Sequence, residues 1–268
     1  NKFTKAQNAI ALVGPSGNET GNIITGNTIG ASSPAADKLG YSGIEIYQQA
    51  NCQITNNTIV GLTSSNSSIT ITGIYVDGTQ NGVTISGNNI SDVKHTNSLG
   101  YGANGIWLYA TTTASNVNVY NNMIYDIAGY GYNGGRDYFD NGYGIVVAYG
   151  GGYNIYYNTV NLNTSQTAAG FPACINITSG VTTAASVNIK NNIFNNSQSG
   201  PSGQRYAIES TAASSVFGTI DYNFYYTPAA NLGYISSNRA NLAAIQTGFG
   251  QNTNSIAPGA AAVFTSAT

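Results

Sequence analysis

An asparagine recurs seven times down this chain inside one short pattern, at Asn27, Asn57, Asn88, Asn122, Asn158, Asn192 and Asn223, with spacings of 30, 31, 34, 36, 34 and 31 residues. Three residues before each stands a β-branched apolar residue: Ile24, Ile54, Ile85, Val119, Ile155, Ile189 and Ile220. Two residues after each stands an apolar or aromatic one: Ile29, Ile59, Ile90, Ile124, Val160, Phe194 and Tyr225. Self-similarity at such a period belongs to solenoids, whose units bury their apolar faces only by stacking on their neighbours. The repeat therefore limits the fold before any single residue does.

A second signature follows each anchor by about fifteen residues: a small residue, Ile, any residue, then an apolar one. It reads Gly43-Ile44-Glu45-Ile46, Gly73-Ile74-Tyr75-Val76, Gly105-Ile106-Trp107-Leu108 and Gly144-Ile145-Val146-Val147, with weaker copies at Cys174 and Ala207 and an opening copy at Ala9. Apolar residues alternating with variable ones mark a strand with one buried face. No helical run separates these strands, which disfavours a βαβ fold. The economical solution is a parallel coil that climbs ~4.8 Å per turn and stacks like residues, giving a rod of roughly 30–35 Å plus its ends.

The anchor then has a physical role. Gly26, Asn56, Gly87, Asn121 and Asn191 precede five of the seven anchors. Gly and Asn tolerate the left-handed conformation, so this position is expected to make a sharp corner. The anchor amide is expected to point inward and bridge to its equivalents one coil up and down, a ladder that satisfies a buried polar side chain. Tyr157 and Tyr222 fill the corner place in the other two repeats, where a different corner is expected.

The pattern in Val117-Asn118-Val119-Tyr120-Asn121-Asn122-Met123-Ile124 resembles the right-handed parallel β-helix family, the pectate-lyase-like superfamily, over roughly residues 8–226. The resemblance implies an all-β solenoid of about seven coils. It does not fix an activity, because that superfamily spans lyases, hydrolases, epimerases, tailspikes, adhesins and passive surface repeats. The expected organisation is a parallel β-helix over 1–226 and a capping or connecting segment over 227–268. Within the latter, 239–247 reads as a short helix capped by Asn238. This tail is similar to the closing segments of β-helix repeats in large secreted bacterial surface proteins. With a start at Asn1 rather than Met, it suggests a processed chain or an excerpt.

Only 7% of the residues are charged and the net charge is −2, with eight scattered basic residues, so no nucleic-acid surface is expected. No stretch approaches the ~20 apolar residues of a membrane-spanning helix, and no membrane insertion is expected. Twenty Tyr beside few Lys fit a secreted, extracellular or cell-surface protein. Cys52 and Cys174 fall about three coils apart by register, roughly 14 Å at ~4.8 Å per coil, too far for a disulfide. Two buried free thiols are expected.

What breaks the repeat is where function can be grafted. The longest repeats carry a loop over 93–104, with Lys94 and the only histidine, His95, and a loop over 126–143. The second gathers Asp126, Arg136, Asp137 and Asp140 with several aromatics in an otherwise nearly uncharged chain. By the resemblance, a lyase would bind acidic polysaccharide there, with Ca²⁺ on Asp137 and Asp140 and with Arg136 or Lys94 as the base. The competing expectation is a surface loop whose charges are solvated, or whose Arg136 pairs with an Asp. Glu45 and Asp77 fall on adjacent coils and would approach the 5–9 Å separation of glycosidase carboxylates. The outward columns read Glu45, Tyr75, Trp107, Val146, Asn176, Glu209 and Tyr47, Asp77, Tyr109, Ala148, Thr178, Thr211. Tyr47, Tyr75, Trp107 and Tyr109 would form an aromatic stripe suited to a sugar or a protein partner, unless a loop of the same chain covers it.

Two classes of function follow. The first is a non-catalytic extracellular structural or adhesive module, a subunit of a surface appendage or filament. Uncapped coil edges would let it associate with itself or with other surface proteins. The second is a polysaccharide-active, lyase-like or carbohydrate-binding β-helix. No cofactor is required unless the lyase reading brings in Ca²⁺.

Overall fold

The computed structural model describes residues 1–264 except Gly100, residues 137–139 and Ser202. The chain is an all-β parallel solenoid of about seven turns. Each turn passes through three sheets. A lead-in sheet of seven strands, Ile23–Thr25 through Phe217–Asp221, runs into the anchor asparagines. A lead-out sheet of nine strands, including Thr58–Ser64, Asn89–His95 and Thr159–Leu162, leaves them. A long-strand sheet of ten, among them Ser42–Ala50, Ile71–Asn81, Ala103–Ala110 and Gly142–Tyr149, holds the second signature. Strands pair in parallel from coil to coil. The exception is Asn238–Arg239, which returns antiparallel on Gly233–Ile235.

The sequence columns are physical columns. Ile24, Ile54, Ile85, Val119, Ile155, Ile189 and Ile220 stand in register up the lead-in sheet. Ile29, Ile59, Ile90, Ile124, Val160, Phe194 and Tyr225 do the same up the lead-out sheet. All belong to one buried core. Full burial of each such side chain is worth about 1.5–3 kcal/mol against leaving it in water. Cys52 and Cys174 sit in this core as free thiols, and burial raises the Cys52 pKa to about 11.

Each anchor is preceded by a left-handed residue, with φ between 55° and 65° at Gly26, Asn56, Gly87, Asn121, Tyr157, Asn191 and Tyr222. The two tyrosine corners do not differ from the others, contrary to the sequence expectation. Stacking holds the backbone path constant and leaves both rings outside, 60% and 56% exposed.

All seven anchors are buried and form the ladder. Each amide nitrogen donates to the next anchor's Oδ1 at 2.9–3.0 Å, from Asn27 to Asn223. From Asn57 on, each Oδ1 also accepts the backbone N–H of the preceding anchor, as Asn88 does from Asn57 at 3.0 Å. The second amide hydrogen reaches back to the β-branched residue of the preceding coil, as from Asn88 to the Ile54 carbonyl at 2.8 Å. One anchor therefore ties three coils. Asn1 adds a rung before Asn27 at 3.3 Å, and Ser255 Oγ accepts the Asn223 N–H at 2.9 Å at the far end.

The helix expected over 239–247 is Leu242–Phe249 (α1), three residues later, and its cap is Asn241, whose side chain accepts the Ala244 N–H at 3.0 Å. Asn238 and Arg239 are held in the antiparallel return, so the helix cannot start there. Ile245 and Phe249 are buried, and the Phe249 ring meets Phe217 edge-on at 4.7 Å. The helix thus covers the last coil.

Candidate functional site

The outer face of the long-strand sheet carries the aromatics and carboxylates that the repeat does not need. Alternation points Glu45, Tyr75 and Trp107 outward on three adjacent coils, in register. The Tyr75 and Trp107 rings stack at 4.5 Å with 28° between planes. Trp107 is buried, Tyr75 and Tyr109 are half-buried, and Tyr47 is 37% exposed. The stripe is therefore partly covered by its own chain rather than laid bare.

A bulge changes the second column. Register shifts between Leu108 and Tyr109, so Tyr109 pairs with Tyr149 instead of Ala148. Their rings stack at 5.3 Å and 19°, and Tyr149 is 44% exposed. Sequence alternation assigned this place to Ala148, because a bulge leaves no mark in the period. Beside this stack lies an open groove of about 530 Å³, lined by Tyr109, Tyr149, Ala148, Thr178, Ser179, Thr211 and Arg136.

Arg136 reaches the groove from the loop over 126–143. Its Nη1 donates to Glu209 Oε1 at 2.8 Å and its Nη2 to Tyr206 Oη at 3.0 Å, and that hydroxyl donates to Asn238 Oδ1 at 2.7 Å. The guanidinium lies over the rings of Tyr234 at 3.6 Å and Phe171 at 4.1 Å. Of the two competing expectations for this loop, pairing holds for Arg136, but the partner is Glu209, 73 residues on, rather than an Asp. Glu209 is fully buried, and burial raises its pKa to about 7 against the lowering pull of Arg136. The loop is thereby bolted over a small outer core of Trp107, Tyr143, Val146, Ala148, Ala173 and Tyr206.

Lys94 stands elsewhere, on the lead-out sheet. Its ammonium pairs with Asp126 and with Asp92 at 3.6 Å, and Lys38 meets the same Asp92 at 2.7 Å. Among the described residues Lys94 and Arg136 share no partner. Asp140 lies close enough to Tyr143 for its charge to raise the phenol pKa, although burial is the larger cause. Asp137 lies outside the described residues. Among the described residues no three His, Cys, Asp or Glu side chains gather to share a metal ion. His95 is buried, Nε2 donating to the Asn66 carbonyl at 3.0 Å while Nδ1 accepts the Asn97 N–H at 3.3 Å. This fixes the neutral tautomer, and burial lowers its pKa.

Glu45 and Asp77 form the other charged group on this face. The Glu45 pKa is raised by burial and then by the Asp77 charge, and Asn8 Nδ2 donates to Glu45 Oε2 at 2.9 Å. The Tyr41 and Tyr75 pKa values rise through burial first, with both carboxylates adding to it. No family model, curated protein or solved structure matches this chain.

Proposed function

We propose that this chain is a non-catalytic adhesive module, a pectate-lyase-like β-helix segment of a secreted or cell-surface polypeptide, that holds a neutral polysaccharide along its long-strand face. One observation carries the reading: the stacked Tyr109 and Tyr149 rings border a groove whose other walls offer the Ser179 and Thr211 hydroxyls. Sugar rings lay an apolar face on aromatic side chains and give their hydroxyls to polar neighbours. A neutral polymer is favoured because Arg136, the one cation among the described residues that line the groove, is already matched by Glu209. Glu45 and Asp77 further along would repel a polyuronate.

Titration calorimetry with neutral hexasaccharides of glucose, xylose and mannose, against a hexagalacturonate, tests the proposal. Removing both rings in Tyr109→Ala/Tyr149→Ala is expected to weaken binding about tenfold or more, at ~0.5–1.5 kcal/mol per stacked ring. Preference for the galacturonate, or indifference to the double variant, would overturn it.

A second reading has its own support. A carboxyl with a raised pKa beside a second carboxylate is the pairing that glycoside hydrolysis uses. Release of reducing ends from a neutral glycan, abolished in Glu45→Gln, would move the chain into the enzyme class.

A further inference from the structure

We propose a second binding groove on the lead-out face, which takes a neutral saccharide independently of the long-strand site. Its cavity, about 710 Å³, exceeds the groove beside Tyr109 and falls within the ~300–1,000 Å³ of small-ligand sites. The floor is the lead-out sheet, where Met123 and Thr159 stand in register, as do Tyr125 and Asn161. The wall is the chain's own Ala262–Phe264, which crosses this face and is tied by the Ala262 N–H to Asn195 Oδ1 at 3.0 Å.

An interrupted amide run gives the groove its polarity. Asn195 Nδ2 donates to Asn161 Oδ1 at 2.7 Å. On the next coil the rung belongs to Tyr125, which offers no amide oxygen. Among the described residues the Asn161 amide nitrogen donates to nothing, so two N–H groups stand at the groove beside the Tyr125 ring and the Met123 thioether. A flat ring, an uncommitted amide and an uncharged lining together suit a pyranose better than an ion. A peptide strand fits less well. The strands beneath are hydrogen-bonded on both sides within their sheet, which leaves no edge to extend.

The chain holds one Met and one Trp, and each reports one face. A ¹³C-methyl-methionine spectrum gives a single line from Met123 in this groove, and a ¹⁵N-indole spectrum gives a single line from Trp107 on the other face. Titration with neutral hexasaccharides of glucose, xylose and mannose should shift the Met123 methyl saturably. Tyr125→Ala should raise the apparent Kd for that shift about tenfold and leave the Trp107 response alone. Phe264→Ala, a change in the wall alone, should also weaken the methyl response. No saturable methyl shift in the unaltered chain would overturn the proposal whatever the variants do. So would a shift given only by an Ala-Val-Phe peptide, or one unaffected by both substitutions. Calorimetric binding unchanged in Tyr109→Ala/Tyr149→Ala, with a responsive Met123, would fail the long-strand site and keep this one.

Discussion

The inner corner column and the outer long-strand face are built from similar polar residues, and they treat polarity in opposite ways. Along the corner each interior anchor, from Asn57 to Asn192, spends both amide hydrogens and its oxygen on neighbouring coils, so nothing is left over. On the outer face Glu209 is as buried as any anchor, yet its Oε2 finds no partner among the described residues. Fully buried Asn104 likewise has neither amide atom bonded there. The repeat closes its own polarity because every coil supplies the complement to the next. An outward residue has no such guarantee, since the coil above it carries a different side chain. Closed polarity is architecture, and open polarity is where a ligand can be met.

The strongest way to break this contrast is Asn122→Ala in mid-ladder. It strands the Asn88 N–H and amide, both held at 3.0 Å, and removes donors to Ile85 and Asn158. A loss of about 3–5 kcal/mol is expected in guanidinium unfolding, from several buried groups left unmet at ~1–3 kcal/mol each. Asn27→Ala, next to the weaker 3.3 Å bond from Asn1, is expected to cost about 1–2 kcal/mol by the same rule. Equal costs at the two positions would mean that ladder closure is not what stabilises the corner.

On the outer face the bolt is the thing to break. Arg136→Leu leaves a buried carboxylate without its cation, a loss of about 2–4 kcal/mol, and Arg136→Leu/Glu209→Leu should recover much of it. Failure of the pair to recover would give Glu209 a role beyond holding the loop. Glu209 also sets a pH dependence. Its pKa rises from 4.5 to about 7 on folding, so the folded chain holds that proton more tightly than the unfolded one. Its stabilising contribution is full below about pH 4.5 and is lost as pH rises through about 7. His95 acts the other way, because its lowered pKa gives stability above 6.5 that is lost as pH falls. Unfolding midpoints of the unaltered chain and of Glu209→Gln separate the two. Their difference should change by on the order of 1–3 kcal/mol between about pH 5 and 7.5, the variant gaining relative stability as pH rises. A flat difference would place the Glu209 proton outside this window.

What the sequence reveals follows the same division. The anchors, the β-branched columns and the left-handed corners repeat, so errors in reading one copy are corrected by the others. The Asn118, Asn154 and Asn188 amides also stack, at 3.0 Å, on the outside of the lead-in sheet. Each lies four residues before its anchor, so that run is legible in the sequence too. The outer face offers no such averaging. Tyr149 reaches the groove through one bulge, and Arg136 meets Glu209 across 73 residues that share no period. Tyr125, Asn161 and Asn195, by contrast, lie three residues after their anchors, so the interruption at Asn161 is legible from the repeat as well. The helix start was displaced by a strand return that local propensity does not encode.

The smallest effect sharpens the comparison most, because it separates the repeat's backbone from its side chains. Tyr157 holds φ at 56° with its ring 60% exposed, so stacking imposes the corner and the residue tolerates it. A non-glycine, non-asparagine residue in the left-handed region carries about 1 kcal/mol of strain. Tyr157→Asn should therefore gain roughly 0.5–1 kcal/mol, and Asn191→Tyr, the reverse change one coil later, should lose a similar amount. Tyr120→Asn is the control, since its extended backbone in Val117–Tyr120 gives no such relief. The corner is the same device in all seven repeats, so Tyr222→Asn should repeat the gain. Unfolding midpoints for the four variants decide it. A loss at Tyr157→Asn would show that the exposed ring gives the coil more than its backbone strain takes away, and would move that corner from the closed column to the open face.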